Sequence, residues 1–121
     1  MKHECFTNEK MYALQDWFSG RFPEVRSPEL VVIGLLESLF NHAAFHCQHG
    51  GIGLIPVREL RRVLYWEFGD VNELIQALYE CEWTVTDVRY GMILKGWSEH
   101  CPDFVHKSLA TKGERFADGT L

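Results

Sequence analysis

The side chains that can do chemistry together are mostly basic. Arg58, Arg61 and Arg62 fall in one short segment, and Arg58 and Arg62 stand one turn apart if that segment is helical. Arg89 and Lys95 follow in a stretch of different character, and Lys107, Lys112 and Arg115 lie toward the C-terminus. Guanidinium and ammonium groups grouped this way suit phosphate oxygens, which they bind through charge-assisted hydrogen bonds. The competing reading is a solvated helix face on which Arg58 and Arg62 pair with Glu59, Glu67 or neighbouring acids.

Histidine and cysteine offer a second chemistry. His42 and His46 form an i, i+4 pair, Cys47 and His49 come directly behind, and His100 adjoins Cys101. Zinc takes such ligands at such a spacing. No second pair stands at finger spacing and there is no HExxH, so no metal site is expected, and the histidines are read as meeting exposed carbonyls at a helix end or packing their rings there. Cys5, Cys47, Cys81 and Cys101 are scattered without a CxxC pair, which argues against a disulfide framework and for thiols in or near the core. No GxSxG, GxxxxGK or GxGxxG occurs, and nothing nominates a base beside Cys81 or Cys101. Neither an enzyme nor a cofactor is expected.

The elements that must hold these residues read as mostly helical. Thr7 or Asn8 can cap a first helix ending at Ser19 before Gly20, with Met11, Leu14, Trp17 and Phe18 on one face. Ser27, Pro28 and Glu29 give the clearest helix start, and Leu30, Ile33, Leu36, Leu39, Phe40, Ala43 and Ala44 continue a buried helix to about Gln48. A glycine-rich turn precedes a short strand over Ile52 to Ile55. Pro56 then opens a third helix with Val57, Leu60, Val63 and Leu64 inward, broken by Phe68-Gly69. Asp70 with Glu73 has the pattern of a capping box for a fourth helix, with Val71, Leu74, Ile75 and Leu78 inward. From Trp83 to Trp97 the β-branched and aromatic residues predict a hairpin joined near Gly91. Pro102 starts a last helix through Phe104, Val105 and Leu109, and the tail after Lys112 is expected to be poorly anchored.

With 121 residues, 46 % of them apolar and 24 % charged, the chain is sized for one compact domain, residues 1–121. No apolar run reaches the roughly 18 residues of a membrane span, and the N-terminus has no secretory pattern, so a cytoplasmic protein with no membrane partner is expected. Helix, helix, short strand, helix, helix, hairpin, helix is the order of a winged helix-turn-helix: mainly α with a small β-hairpin.

The stretch from Leu30 to Leu109 resembles the N-terminal winged-helix domains of phage-type and related bacterial replication-initiator proteins. The residues that carry the resemblance are IGLLESLFNHA, GGIGLIPVREL, GDVNELIQALYECEW and ILKGWSEHCPDFVHKSLA. It implies a module of a DNA-replication protein with double-stranded DNA as partner. A winged helix ordinarily lays the second helix of its pair in the major groove. Here that helix offers Asn72, Glu73, Gln76, Tyr79 and Glu80. From Glu67 to Asp87 the acids Glu67, Asp70, Glu73, Glu80, Glu82 and Asp87 meet no Lys or Arg, and the net charge is −5. Phosphate would be repelled there, so contact is expected through Arg58, Arg61, Arg62, Arg89 and Lys95 instead. The alternative is a protein-interaction or dimerisation winged helix, with a protein partner or a second copy. Aromatic rings left exposed around Tyr65-Trp66 or at Tyr79 would mark that surface.

Overall fold

A computed structural model describes residues 9–119 of the chain. The described residues form α1 (Glu9–Arg21), α2 (Pro28–His46), α3 (Val57–Val63), α4 (Val71–Glu80), β1 (Thr84–Asp87), β2 (Gly91–Leu94), α5 (Trp97–His100) and α6 (Asp103–Lys112). The fold is therefore mainly helical with one antiparallel two-stranded hairpin. None of its described helices is long and apolar enough to cross a membrane.

The expected cap of α1, Thr7 or Asn8, lies outside the described residues. The helix runs through Gly20 to Arg21 instead of stopping at Ser19. Its end is set by Phe22, which precedes Pro23 and is disfavoured from helical backbone. Met11, Leu14 and Phe18 are buried at helical spacing. Phe18 and Phe22 meet Trp66 and Phe68 in a cluster with ring centroids between 5.1 and 6.0 Å apart. This cluster ties the first helix to the turn after α3.

Ser27 occupies the N-cap of α2, but its side chain makes no capping bond. Val32, Leu35, Leu36, Leu39, Phe40, Ala43 and Ala44 are the buried positions. Leu30, expected inside, is 67 % exposed, whereas Val31 beside it packs against the core. In the same way Val57 of α3 is exposed while Leu60 and Leu64 are buried.

α3 ends at Val63, well before Phe68-Gly69. The stop is a Schellman motif: Tyr65 N–H donates to the Arg62 carbonyl at 3.1 Å, and Trp66 N–H to the Arg61 carbonyl at 3.1 Å. Tyr65 takes the left-handed position that usually belongs to glycine, with φ +51°. α4 ends the same way, with Glu82 at φ +65° and Trp83 N–H on the Leu78 carbonyl at 2.8 Å. At the start of α4 the Asp70 carboxylate accepts from Asn72 N–H at 2.9 Å. The reciprocal half of a capping box is missing, because Glu73 turns away to pair with Arg21 at 3.1 Å.

The hairpin pairs Thr84 with Leu94 and Asp87 with Gly91, so its loop is Val88-Arg89-Tyr90 and Gly91 opens the second strand. The Asp87 carboxylate fixes the loop by accepting from Arg89 N–H at 2.9 Å and Tyr90 N–H at 2.8 Å. Residues 52–55 do not form the expected strand. Gly51 alone makes an antiparallel bridge, to Ile93. The chain then turns, with Ile55 N–H on the Ile52 carbonyl at 3.1 Å, and Pro56 leads into α3.

α5 is a short helix that the sequence reading missed, begun by Gly96 at φ +69°. In α6 Val105 and Leu109 are buried, whereas Phe104 is 42 % exposed and lies against Phe45 with centroids 5.3 Å apart. The segment after Lys112 is anchored, contrary to expectation. Phe116 is buried against the His106 ring at 5.0 Å, and Ala117 N–H donates to the His49 carbonyl at 2.7 Å. A single buried aromatic suffices to hold so short a segment.

Candidate nucleic-acid interface

The five basic residues singled out from the sequence are all exposed, but they are not equivalent. Arg58 and Arg62 lie one turn apart on α3, and among the described residues neither makes an ion pair with Glu59, Glu67 or any other acid. Their charges are thus available to a partner. Arg61 is committed to the fold: its Nε donates to the Trp66 carbonyl at 3.2 Å. That bond and the Trp66 N–H bond to the Arg61 carbonyl together clamp the end of α3.

Lys95 is paired with Glu82 at 3.2 Å, an exposed contact that a phosphate can displace at little cost. Arg89 sits in the hairpin loop with its guanidinium 5.2 Å from the Tyr90 ring centroid. It lines a cleft with His49, Tyr90, Glu114, Arg115 and Phe116. The sequence reading had no means to place Arg115 beside Arg89, since only the anchored tail brings them together. Arg62 lines a different groove, between α2 and α3, with Asn41, His42, Phe45, His46, Glu59 and Tyr65.

The outward face of α4 is satisfied by its own neighbours. The Asn72 amide donates to Asp70 at 3.0 Å, Gln76 to Glu80 at 3.2 Å, and Glu73 holds Arg21. Among the described residues Arg21, from α1, is the one basic side chain bonded to this face, and its charge is spent on Glu73. Nothing on α4 offers an unpaired cation to phosphate.

The histidines are dispersed in role. The His42 and His46 rings lie 4.8 Å apart. Burial lowers the pKa of His42, the neighbouring His46 adds to the effect, and Glu59 opposes it. His49 stacks on Tyr90 at 4.6 Å, and its Nδ1 accepts from Gly51 N–H at 2.9 Å. Burial lowers its pKa too, with Arg89 pushing the same way and Glu114 opposing. Burial raises the pKa of the Cys47 and Cys81 thiols, with Glu59 and Glu80 adding to it, which keeps both protonated and poorly nucleophilic. Among the described residues no group of three or more His, Cys, Asp or Glu side chains is placed to hold a metal ion.

Tyr65 is one of the rings that the sequence marks as a partner surface if exposed. It is 79 % exposed, and Trp66 beside it is buried. A left-handed tyrosine carries no local signature, since the Schellman stop is normally read from a glycine that is not there. Compared with models of known protein families, with curated proteins and with solved structures, the chain finds no match.

Proposed function

We propose that the chain is a winged-helix module that holds double-stranded DNA by its phosphates, in the cytoplasm, as part of a replication protein. The observation that carries this reading is the pair Arg58 and Arg62: exposed, one turn apart, and without an ion pair among the described residues. The order of elements supports the winged-helix part. α2, the bridged Gly51, α3, α4 and the hairpin follow in turn, and Gly51 lies against β2 as a rudimentary third strand. Arg89, at the tip of the hairpin, is positioned as a wing contact. The resemblance of the sequence to replication-initiator domains points the same way.

The acidic, self-satisfied face of α4 favours backbone contact over base reading. Phosphate contacts carry no sequence information, so binding is weakly selective. The test is a titration of duplex DNA at several salt concentrations. Wild-type affinity falls steeply with salt, and Arg58→Ala with Arg62→Ala weakens binding to every duplex and flattens the salt slope. Asn72→Ala with Gln76→Ala changes little. If that second pair abolishes binding and the arginine pair does not, α4 enters the groove. A wild-type protein without salt-sensitive binding to any duplex is instead a protein-interaction or dimerisation domain, a reading favoured by the lack of unpaired cations on α4.

A further inference from the structure

We infer that the groove between α2 and α3 takes one unpaired nucleotide, whose base stacks on Tyr65 while Arg62 and Arg58 hold its phosphates. The inference rests on the DNA-binding reading above and narrows it from duplex alone to DNA with an unpaired stretch.

Three observations lead to it. The first is the conformation of Tyr65. A non-glycine residue in the left-handed region carries strain of about 1–2 kcal/mol, which a glycine at the same Schellman position would relieve. The ring does not recover this by burial, because it is 79 % exposed. Strain held at an exposed aromatic is the pattern of a residue kept for contact with something outside the fold. The turn that presents it is stiff: Arg61 clamps Trp66 from both backbone and side chain, and Trp66 is buried in the α1 aromatic cluster.

The second is the lining of the groove. Its volume of about 460 Å³ lies within the roughly 300–1,000 Å³ typical of small-ligand clefts. Phe45 contributes a second ring, 61 % exposed and 5.3 Å from the Phe104 ring of α6. Asn41 and His46 supply hydrogen-bonding groups suited to base edges. Glu59, the acid in the lining, interacts electrostatically with His42 of the neighbouring helix.

The third is charge. Arg62 lines the groove itself, and Arg58 stands one turn earlier on the same helix. Exposed rings beside cations with no acidic partner are the combination that single-stranded nucleic acids use, with bases on the rings and backbone on the cations. A duplex keeps its bases stacked inside and cannot use the rings. An unpaired strand can.

The experiment compares a fluorescein-labelled oligothymidine with a blunt duplex by anisotropy, at one low salt concentration, for the wild type, Tyr65→Gly, Tyr65→Phe and Arg58→Ala with Arg62→Ala. Tyr65→Gly suits the left-handed turn, so it melts no lower than the wild type and loss of folding does not confuse the result. Its affinity for oligothymidine falls about tenfold, as expected for one stacked base, and its affinity for duplex is unchanged. Tyr65→Phe keeps both affinities, and the arginine pair loses both. If Tyr65→Gly leaves oligothymidine binding intact, or weakens both DNAs equally, the inference is overturned and phosphate binding by the arginines stands. Wild-type binding to duplex without binding to oligothymidine overturns it as well. Binding to neither overturns both readings together.

Discussion

The indole nitrogen of Trp97 donates to the backbone carbonyl of Gln48 at 2.8 Å, across the gap between the hairpin and the end of α2. Gly50, two residues after Gln48, takes φ +92° and lies so close that a Cβ there would fall 2.8 Å from Trp97 Cδ1. The indole therefore stands against the chain where α2 gives way to the glycine-rich turn, and it fixes where Gly51 can meet β2. Trp83 makes a parallel link, donating to the Lys10 carbonyl at 3.1 Å. Trp66 is different. Its ring is as deeply buried, yet its Nε1 has no hydrogen-bond partner among the described residues.

That difference separates two otherwise similar substitutions. Trp66→Phe and Trp97→Phe each shrink a buried indole to a phenyl ring and leave a comparable void. Trp97→Phe also orphans the Gln48 carbonyl, whereas Trp66→Phe removes a donor that bonds nothing. Trp97→Phe is expected to be the more destabilising by about 1–2 kcal/mol, read from urea midpoints at constant slope. Equal losses would show that the Trp97–Gln48 bond contributes nothing net.

The helices and the hairpin were legible because their apolar residues recur with helical or alternating period. Leu30 and Val57 show where the pattern misleads. Each sits on an apolar stripe, but a stripe says which way a side chain points along its own helix and not whether another element covers it. The stop of α3 was misplaced because Tyr65 does the work of a glycine. The anchoring of the tail by Phe116 was invisible for a similar reason, since one buried ring in a polar stretch has no period. At the candidate site the grouping of Arg58, Arg61 and Arg62 was readable from spacing. That Arg61 belongs to the fold and the other two to the surface depends on the turn after α3, and so does the groove beside Tyr65.

Acid should weaken the fold through His49. Burial holds its pKa below the ordinary value of about 6.5, and its Nδ1 is occupied as an acceptor from Gly51 N–H. The unfolded chain therefore takes up the proton first. Stability is full above about pH 6.5 and is lost as the pH falls through the lower folded pKa. His42, lowered in the same direction, adds to the trend. His49→Asn keeps an acceptor oxygen near the Nδ1 position but cannot titrate. Its urea midpoint should start lower at pH 7.5, because the stacking on Tyr90 is lost, and should fall less between pH 7.5 and 5 than that of the wild type. A variant whose pH dependence runs parallel to the wild type would place the acid sensitivity elsewhere.

Two glycines should respond to alanine in opposite directions. Gly34 lies within α2, exposed, and a Cβ there would meet nothing within 4 Å. Alanine removes backbone entropy from the unfolded chain and costs nothing in the fold, so Gly34→Ala should stabilise by about 0.5–1 kcal/mol. Gly53 lies where the turn after α2 touches the hairpin, and its N–H donates to the Met92 carbonyl at 2.9 Å. A Cβ on Gly53 would collide with the Tyr90 carbonyl oxygen and the Met92 nitrogen. Both are backbone atoms, one held by the Val88–Tyr90 loop and the other by β2, so neither can step aside as a flexible side chain would. Relief requires the turn to part from the hairpin, with loss of the Gly51–Ile93 bridge and the hydrogen bonds to Met92. Gly53→Ala should therefore destabilise by several kcal/mol, within the range of overpacking combined with broken backbone bonds. Amide exchange gives the sharper reading. In Gly53→Ala the amides of Ile52, Gly53 and Leu94 should lose protection ahead of those in α1, α2 and α4. If they exchange no faster than in the wild type, the turn does not depend on its close approach to the hairpin.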